Sequence, residues 1–277
     1  MKKYILLFIT LFFISSSNLK AQDRTLKQVI ELQMPKMKGD DYCGTRGAAV
    51  CWNPVTKKYY AAFAGNTQFP MGVFTAAGLR VSSDDLTTFE DIRGVWYNPV
   101  TKDLWANGYS KIGWLSYVLD NDGIPTKVNY KFTDMNQPGE QSVGAYDARL
   151  KNVLFLDKSR VMLYENFSDM FARVDDSVQI HWGRKKADGP GNYENEFDEN
   201  ENYNSTNVIS TGQADAEFGV LNITKKQIEL YDRKEGYLRQ TIKLPESAPV
   251  ESMFNFSFTN GIYWLFDIEN RKWIGYK

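Results

Sequence analysis

Histidine is almost missing from this chain: of 277 residues, only His181 carries an imidazole. That excludes a multi-histidine metal centre and rests any imidazole acid–base chemistry on a single side chain. Cysteine is equally scarce, with Cys43 and Cys51 alone, too few soft ligands for a tetrahedral thiolate site. Neither sign of charge is in excess, since 33 basic residues meet 34 acidic ones. Nucleic-acid binders need a net basic face to displace counterions, and no such face and no polybasic membrane patch is present. A nucleophile elbow and a glycine-rich phosphate loop are also lacking. No segment sustains a 3.6-residue apolar period over three turns. The best helical candidate, SSDDLTTFEDI, makes a capped turn or two at most.

Long apolar runs are missing except one. MKKY is basic, ILLFITLFFI (Ile5 to Ile14) is apolar, and SSSNLKA is polar and ends at Ala21. This is the order of a secretory signal peptide, and ten apolar residues fall short of the roughly 20 that a spanning helix needs. The expectation is a signal over residues 1–21 and a single exported domain over 22–277, periplasmic or secreted, with no membrane span. In that compartment Cys43 and Cys51, eight positions apart, are expected to form a local disulfide; the alternative is two separate buried thiols.

What the sequence does have is aromatic and β-branched residues in short runs. AAVCW, KYYAAFA, WLSYVL, NVLFL, RVMLY, FGVLNI and IYWLFDI are each bounded by Gly, Asn, Asp or Pro, as strands are. The protein is read as all-β. It also makes one turn twice: Asn-Pro-Val-Thr-Lys occurs at Asn53 and Asn98, 45 residues apart. In such a turn the Asn side chain bonds its own backbone. Looser echoes place aromatics before Asn or Asp at Tyr146, Tyr231 and Phe266, so the aromatic positions from Trp52 onward step by 45, 49, 85 and 35 residues. A period of 40–50 residues with several short strands per copy points to a β-propeller. Five or six blades fit the length, and a large β-sandwich is the alternative. LKQVIELQMPK near the start resembles LRQTIKLPES, which predicts that the early segment forms an outer strand beside KWIGYK and closes the ring.

The hairpin YDRKEGYLRQTIKLP resembles the repeats of NHL-type and related exported bacterial propellers, in turn and strand chemistry only. The resemblance implies the fold and carries no catalytic signature. It is compatible with two functions. One is a binding or protein-interaction propeller that takes a small molecule, glycan or protein at one axial face. The other is a metal-dependent hydrolase of the gluconolactonase-like kind, which would hold a divalent metal in its channel. Its Glu, Asn and Asp ligands find no matching motif here, so no residue is nominated for it.

Four further features invite a functional reading. Residues 189–207 hold five acids (Glu194, Glu196, Asp198, Glu199, Glu201) among asparagines. They read as a solvated insertion, with calcium or a basic partner as the alternative, although the spacing matches no EF-hand. LDNDGIP reads as a hairpin turn. Trp52, Trp96, Trp105 and Trp114 could stack on sugars, and otherwise fill the core. His181, between Ile180 and Trp182, is assigned a structural place.

Overall fold

The computed structural model describes residues 24–36, 46–65, 68, 70–165, 173–186, 193–194 and 201–277. Nearly every described apolar run forms a strand, and one 3-10 turn (Ser110–Ile112) interrupts them. Strand β1 (Gln28–Gln33) comes first and belongs to the last blade. Blade one holds β2 (Gly47–Asn53), β3 (Lys58–Phe63) and β4 (Met71–Thr75), and blade two holds β5 (Ile92–Asn98), β6 (Asp103–Gly108), β7 (Trp114–Leu119) and β8 (Pro125–Phe132). Blade three holds β9 (Ala145–Asp147), β10 (Asn152–Asp157), β11 (Arg160–Glu165) and β12 (Arg173–Gln179). A short hairpin of β13 (Lys185–Lys186) and β14 (Tyr193–Glu194) follows. Blade four holds β15 (Ile209–Ser210), β16 (Phe218–Asn222), β17 (Gln227–Tyr231) and β18 (Leu238–Lys243), and blade five holds β19 (Phe256–Thr259), β20 (Ile262–Asp267) and β21 (Lys272–Tyr276). All pairings within blades are antiparallel, and β1 pairs with β21 to give the order β1-β21-β20-β19. The protein is a five-bladed β-propeller.

Ring closure follows the expectation from the chain ends. β1 runs Leu32 opposite Trp273 and Gln28 opposite Tyr276, and reciprocal main-chain bonds join Lys27 and Lys277. This puts a segment from the start of the chain on the edge that blade five would otherwise expose. Blade one lacks a fourth strand. The segment after β4 replaces it, with Val81 N–H donating to Val73 O and Met71 N–H to Leu86 O.

Why the strands read as continuous apolar runs is explained by the seams. A middle strand of a blade is covered on both faces, so both sides of its two-residue period are buried. In β3, Tyr60 and Ala62 pack toward blade two with Leu104, Leu115 and Tyr117, while Tyr59, Ala61 and Phe63 pack toward blade five with Trp264, Phe266 and Trp273. Trp96, Trp105 and Trp114 fill the seam of blades two and three with Phe132 and Phe155. Trp114 alone meets four rings at 5.4–6.5 Å. Those three tryptophans are core residues.

The repeat motif is corrected in register. Asn53, Asn98 and Asp147 each end an innermost strand and accept hydrogen bonds from their own turn, for instance Val55 N–H at 2.9 Å, Val100 N–H at 3.0 Å and Arg149 N–H at 2.9 Å. Tyr231 ends the third strand of blade four, and Phe266 stands one residue before the end of the second strand of blade five, so their echoes belong to other hairpins. The innermost strands of those blades end instead at Ser210 and Thr259. Lys57, Lys102 and Lys151 leave the three turns at positive φ, and Lys226 and Arg271 do the same elsewhere. Lysine is therefore the turn-exit residue at both ends of the blades.

The acidic stretch of residues 189–207 is described only in part. Residues 189–192 and 195–200 lie outside the described ones. From Glu201 onward the chain is packed, with Asn204, Thr206 and Asn207 buried.

Candidate functional site

The innermost strands β2, β5, β9, β15 and β19 each have a sheet neighbour on one side only, so their other edges face the propeller axis. Between them lies a cavity of about 250 Å³ to which all five blades contribute. At its mouth stand the residues just before the turn positions: Trp52, Tyr97, Tyr146, Ser210 and Phe258, all half-buried. Four of the five blades thus place an aromatic there, and blade four places a serine. Deeper in, the wall is small and neutral, with Ala49, Val95, Gly144, Ala145 and Ser257.

The opposite end of the axis is closed. Gly94 and Gly144 approach so closely that a Cβ on Gly94 would lie 2.6 Å from the Gly144 N and O atoms. Asn107 donates to Ser142 O and accepts from Gly144 N–H, joining blades two and three. Asn204 donates to Glu251 O and Phe254 O and accepts from Asn207 N–H, while Asn207 donates to Phe256 O. Asn255 accepts from Gly47 N–H at 2.5 Å. Arg93 is buried there against Asp91, donates to Gln141 at 2.8 Å and lies 4.5 Å from the Tyr109 ring. Buried polar groups must be paired, and here they are paired across blades. The pocket therefore opens at the turn end of the inner strands.

At the height of the pocket, the seam of blades five and one is stitched in the same manner. Ser257 Oγ accepts from Val50 N–H and donates to Val50 O, and Thr259 Oγ1 accepts from Trp52 N–H at 3.1 Å.

The titratable groups of the wall are Cys51, Tyr97 and Tyr146. Burial pushes the Cys51 thiol well above its ordinary value. Burial, then the Asp147 charge, pushes Tyr146 up to about 12, and burial first among its causes also raises Tyr97. All three are neutral near pH 7, and the wall contains no carboxylate, amine or imidazole. It can bind and orient; it has no general acid or base poised near neutrality.

The residues singled out by sequence for a functional reading fall elsewhere, except three. Trp52, Trp96 and Cys51 line the pocket. Cys51 is buried, and Cys43, its expected partner, lies outside the described residues. His181 stacks on Tyr237 at 4.3 Å with its planes 10° apart, away from the pocket wall. Burial, then the Arg184 charge, lowers its pKa. Asp120 in LDNDGIP accepts from Asp122 and Ile124 N–H groups, as a turn residue does.

Of the five acids, Glu201 is placed. Its Oε2 accepts from Asn222 Nδ2 at 2.5 Å and from the Tyr203 hydroxyl at 3.0 Å, and Lys225 pairs with it. The same Asn222 amide and Tyr203 hydroxyl reach Glu229, which also accepts from Tyr231 and Gln227. This network anchors the chain to blade four through bonds it already satisfies. Glu196, Asp198 and Glu199 lie outside the described residues. Among those that are described, no group of three His, Cys, Asp or Glu side chains could hold a metal ion, and no helix is long and apolar enough to cross a membrane.

No family model matches the chain, and no curated protein does. Among solved structures it is similar to the glutaminyl cyclase of Myxococcus xanthus, with a TM-score of 0.53 at 8% identity over 92% of this chain and 96% of that one. An auxiliary nutrient binding protein from Bacteroides thetaiotaomicron gives 0.44 at 11% identity over 84% and 60%. A chain of a nidogen/laminin complex gives 0.41 at 12% over 71% and 63%. This chain spans less than two thirds of the length of the last two. At such identities the likeness is one of fold.

Proposed function

We propose that this chain is an exported binding propeller whose ligand enters the axial pocket at the turn end of the inner strands. The observation that carries this reading is the convergence of five blades on one neutral cavity, rimmed by Trp52, Tyr97, Tyr146 and Phe258. Concave, mostly apolar sites with a few polar groups are where small ligands bind. The alternative of a metal-dependent hydrolase finds no support in this wall, which offers no carboxylate or imidazole ligand.

The test uses protein beginning at Gln22 and screens a small-molecule library by thermal shift. Ser210→Tyr fills the one gap in the aromatic rim with a side chain like its neighbours'. Ligands that raise the melting temperature of the wild type should lose that effect in Ser210→Tyr. Ligands that stabilise both proteins equally would place binding elsewhere and overturn the reading.

Export and the Cys43–Cys51 bridge belong to the same proposal. N-terminal sequencing of the exported form should begin near Gln22, and an intact Met1 in a membrane fraction would refute it. Denatured, unreduced protein should show no reactive thiol; two reactive thiols would remove the bridge.

A further inference from the structure

The axial pocket differs from an ordinary apolar cavity in one respect. Its wall consists of sheet edges. Trp52 stands opposite Tyr59 one pair inside a hairpin closed by Asn53 and Lys58, and its N–H points along the channel side to Thr259. Tyr97 and Tyr146 occupy the identical register, opposite Leu104 and Val153 in hairpins closed by Asn98 with Asp103 and by Asp147 with Asn152. Their main-chain N–H and C=O groups therefore turn toward the channel as well.

From this we infer that the ligand of the pocket is a neutral sugar ring; the inference rests on the reading of the pocket as the binding site. Four properties of the site select that class. The wall carries no charged side chain, so an ionised ligand would leave water without a counter-charge. Half-buried aromatic residues from four blades line the mouth, each also packed against a core cluster of the blades, and their apolar surface matches the face of C–H bonds that a pyranose presents. The cavity, about 250 Å³, lies below the roughly 300–1,000 Å³ of sites for drug-sized ligands, which suits one ring. The fourth property separates a sugar from a hydrocarbon. A hydrocarbon would strip water from the channel-facing N–H and C=O groups without replacing its hydrogen bonds. Sugar hydroxyls both donate and accept, so they replace that water on every side of the ring. Ser210, the small polar member of the rim, leaves the side on which substituents of the ring pass out toward solvent.

The experiment is ligand-observed saturation-transfer NMR followed by calorimetric titration of protein from Gln22 onward. The probes are glucose, galactose, mannose and N-acetylglucosamine, with glucuronate and glucosamine as charged counterparts and indole as an apolar ring. At least one neutral sugar should bind, its charged counterparts at least tenfold more weakly. Tyr97→Ala and Ser210→Tyr should each weaken it at least tenfold, with circular dichroism showing that each variant is folded. Charged sugars binding as well as neutral ones would overturn the inference. So would binding of indole alone, or of none of the probes. Indole binding that Ser210→Tyr abolishes would retain the pocket and reject the sugar. Sugar binding that survives both variants would reject the pocket itself.

Discussion

The two ends of the propeller axis are made from the same five strands, yet they are chemically unlike. At the closed end, Asn107, Asn204, Asn207 and Asn255 cross from blade to blade and pair buried main-chain groups. Arg93 and Asp91 add a buried ion pair. At the mouth, the rim beside the axis is aromatic and half-buried, and Thr259 joins blade five to Trp52 of blade one. Other cross-blade bonds there, such as Tyr60 to Gly123 O and Arg149 to Glu217, involve residues outside the pocket wall. The bonds that close the axis itself are thus gathered at one end. The other end can then keep a cavity without loss of the fold.

Substitutions should separate the ends, and the largest effect belongs to the closed one. Asn204→Ala leaves two carbonyls and the Asn207 N–H without partners in a buried place. It should cost about 3 kcal/mol or more, read as a fall in the urea midpoint with unchanged slope. A loss below about 1 kcal/mol would mean that water closes this end as well as asparagine does.

Leu32→Ala tests the closure strand that the closed ring also depends on. Leu32 is fully buried among Trp264, Phe266 and Trp273, so about 3 kcal/mol should be lost. If the loss is slight, β1 is an ornament on blade five.

At the mouth the same kind of change should matter less. Thr259→Val removes the acceptor of the Trp52 N–H but leaves that group beside the open channel, so the cost should be about 1 kcal/mol. A cost equal to that of Asn204→Ala would erase the distinction between the ends.

The smallest effect concerns His181, which belongs to neither end. Its folded pKa is lowered, so the folded protein holds it neutral more readily than the unfolded chain does. The stability this contributes is present above the unfolded pKa of about 6.5 and is lost as pH falls through the folded value. His181→Gln should therefore flatten part of the stability decline between pH 7 and pH 5, and leave ligand binding unchanged. Loss of binding in this variant would return imidazole chemistry to consideration.

Much of this architecture was legible in the residues, and the reasons are particular. The twin turns at Asn53 and Asn98 mark two inner hairpins because an Asn acceptor and a positive-φ lysine are what that turn requires. The likeness between the early strand and LRQTIKL marked the closure. Legibility failed where another group performs the same task. Thr211 accepts from Gln213 N–H in blade four, so the turn exists without the motif, and Tyr231 and Phe266 supplied false registers. For the same reason Ser210 and Phe258 could not be recognised as rim residues before the strands were assembled. The closing asparagines were hidden more completely. Each bonds a segment far away along the chain, and an isolated Asn between strands looks like any turn former.

The central claim is that ligand enters the mouth and not the closed end, and amide hydrogen exchange tests it most directly. With a neutral sugar probe at saturation, exchange should slow in residues 95–98, 144–147 and 256–259 and stay unchanged around the shallower depression on the other face, lined by Glu140, Asp157 and Thr206. Slowing confined to residues 139–142, 156–158 and 205–206 would contradict the account.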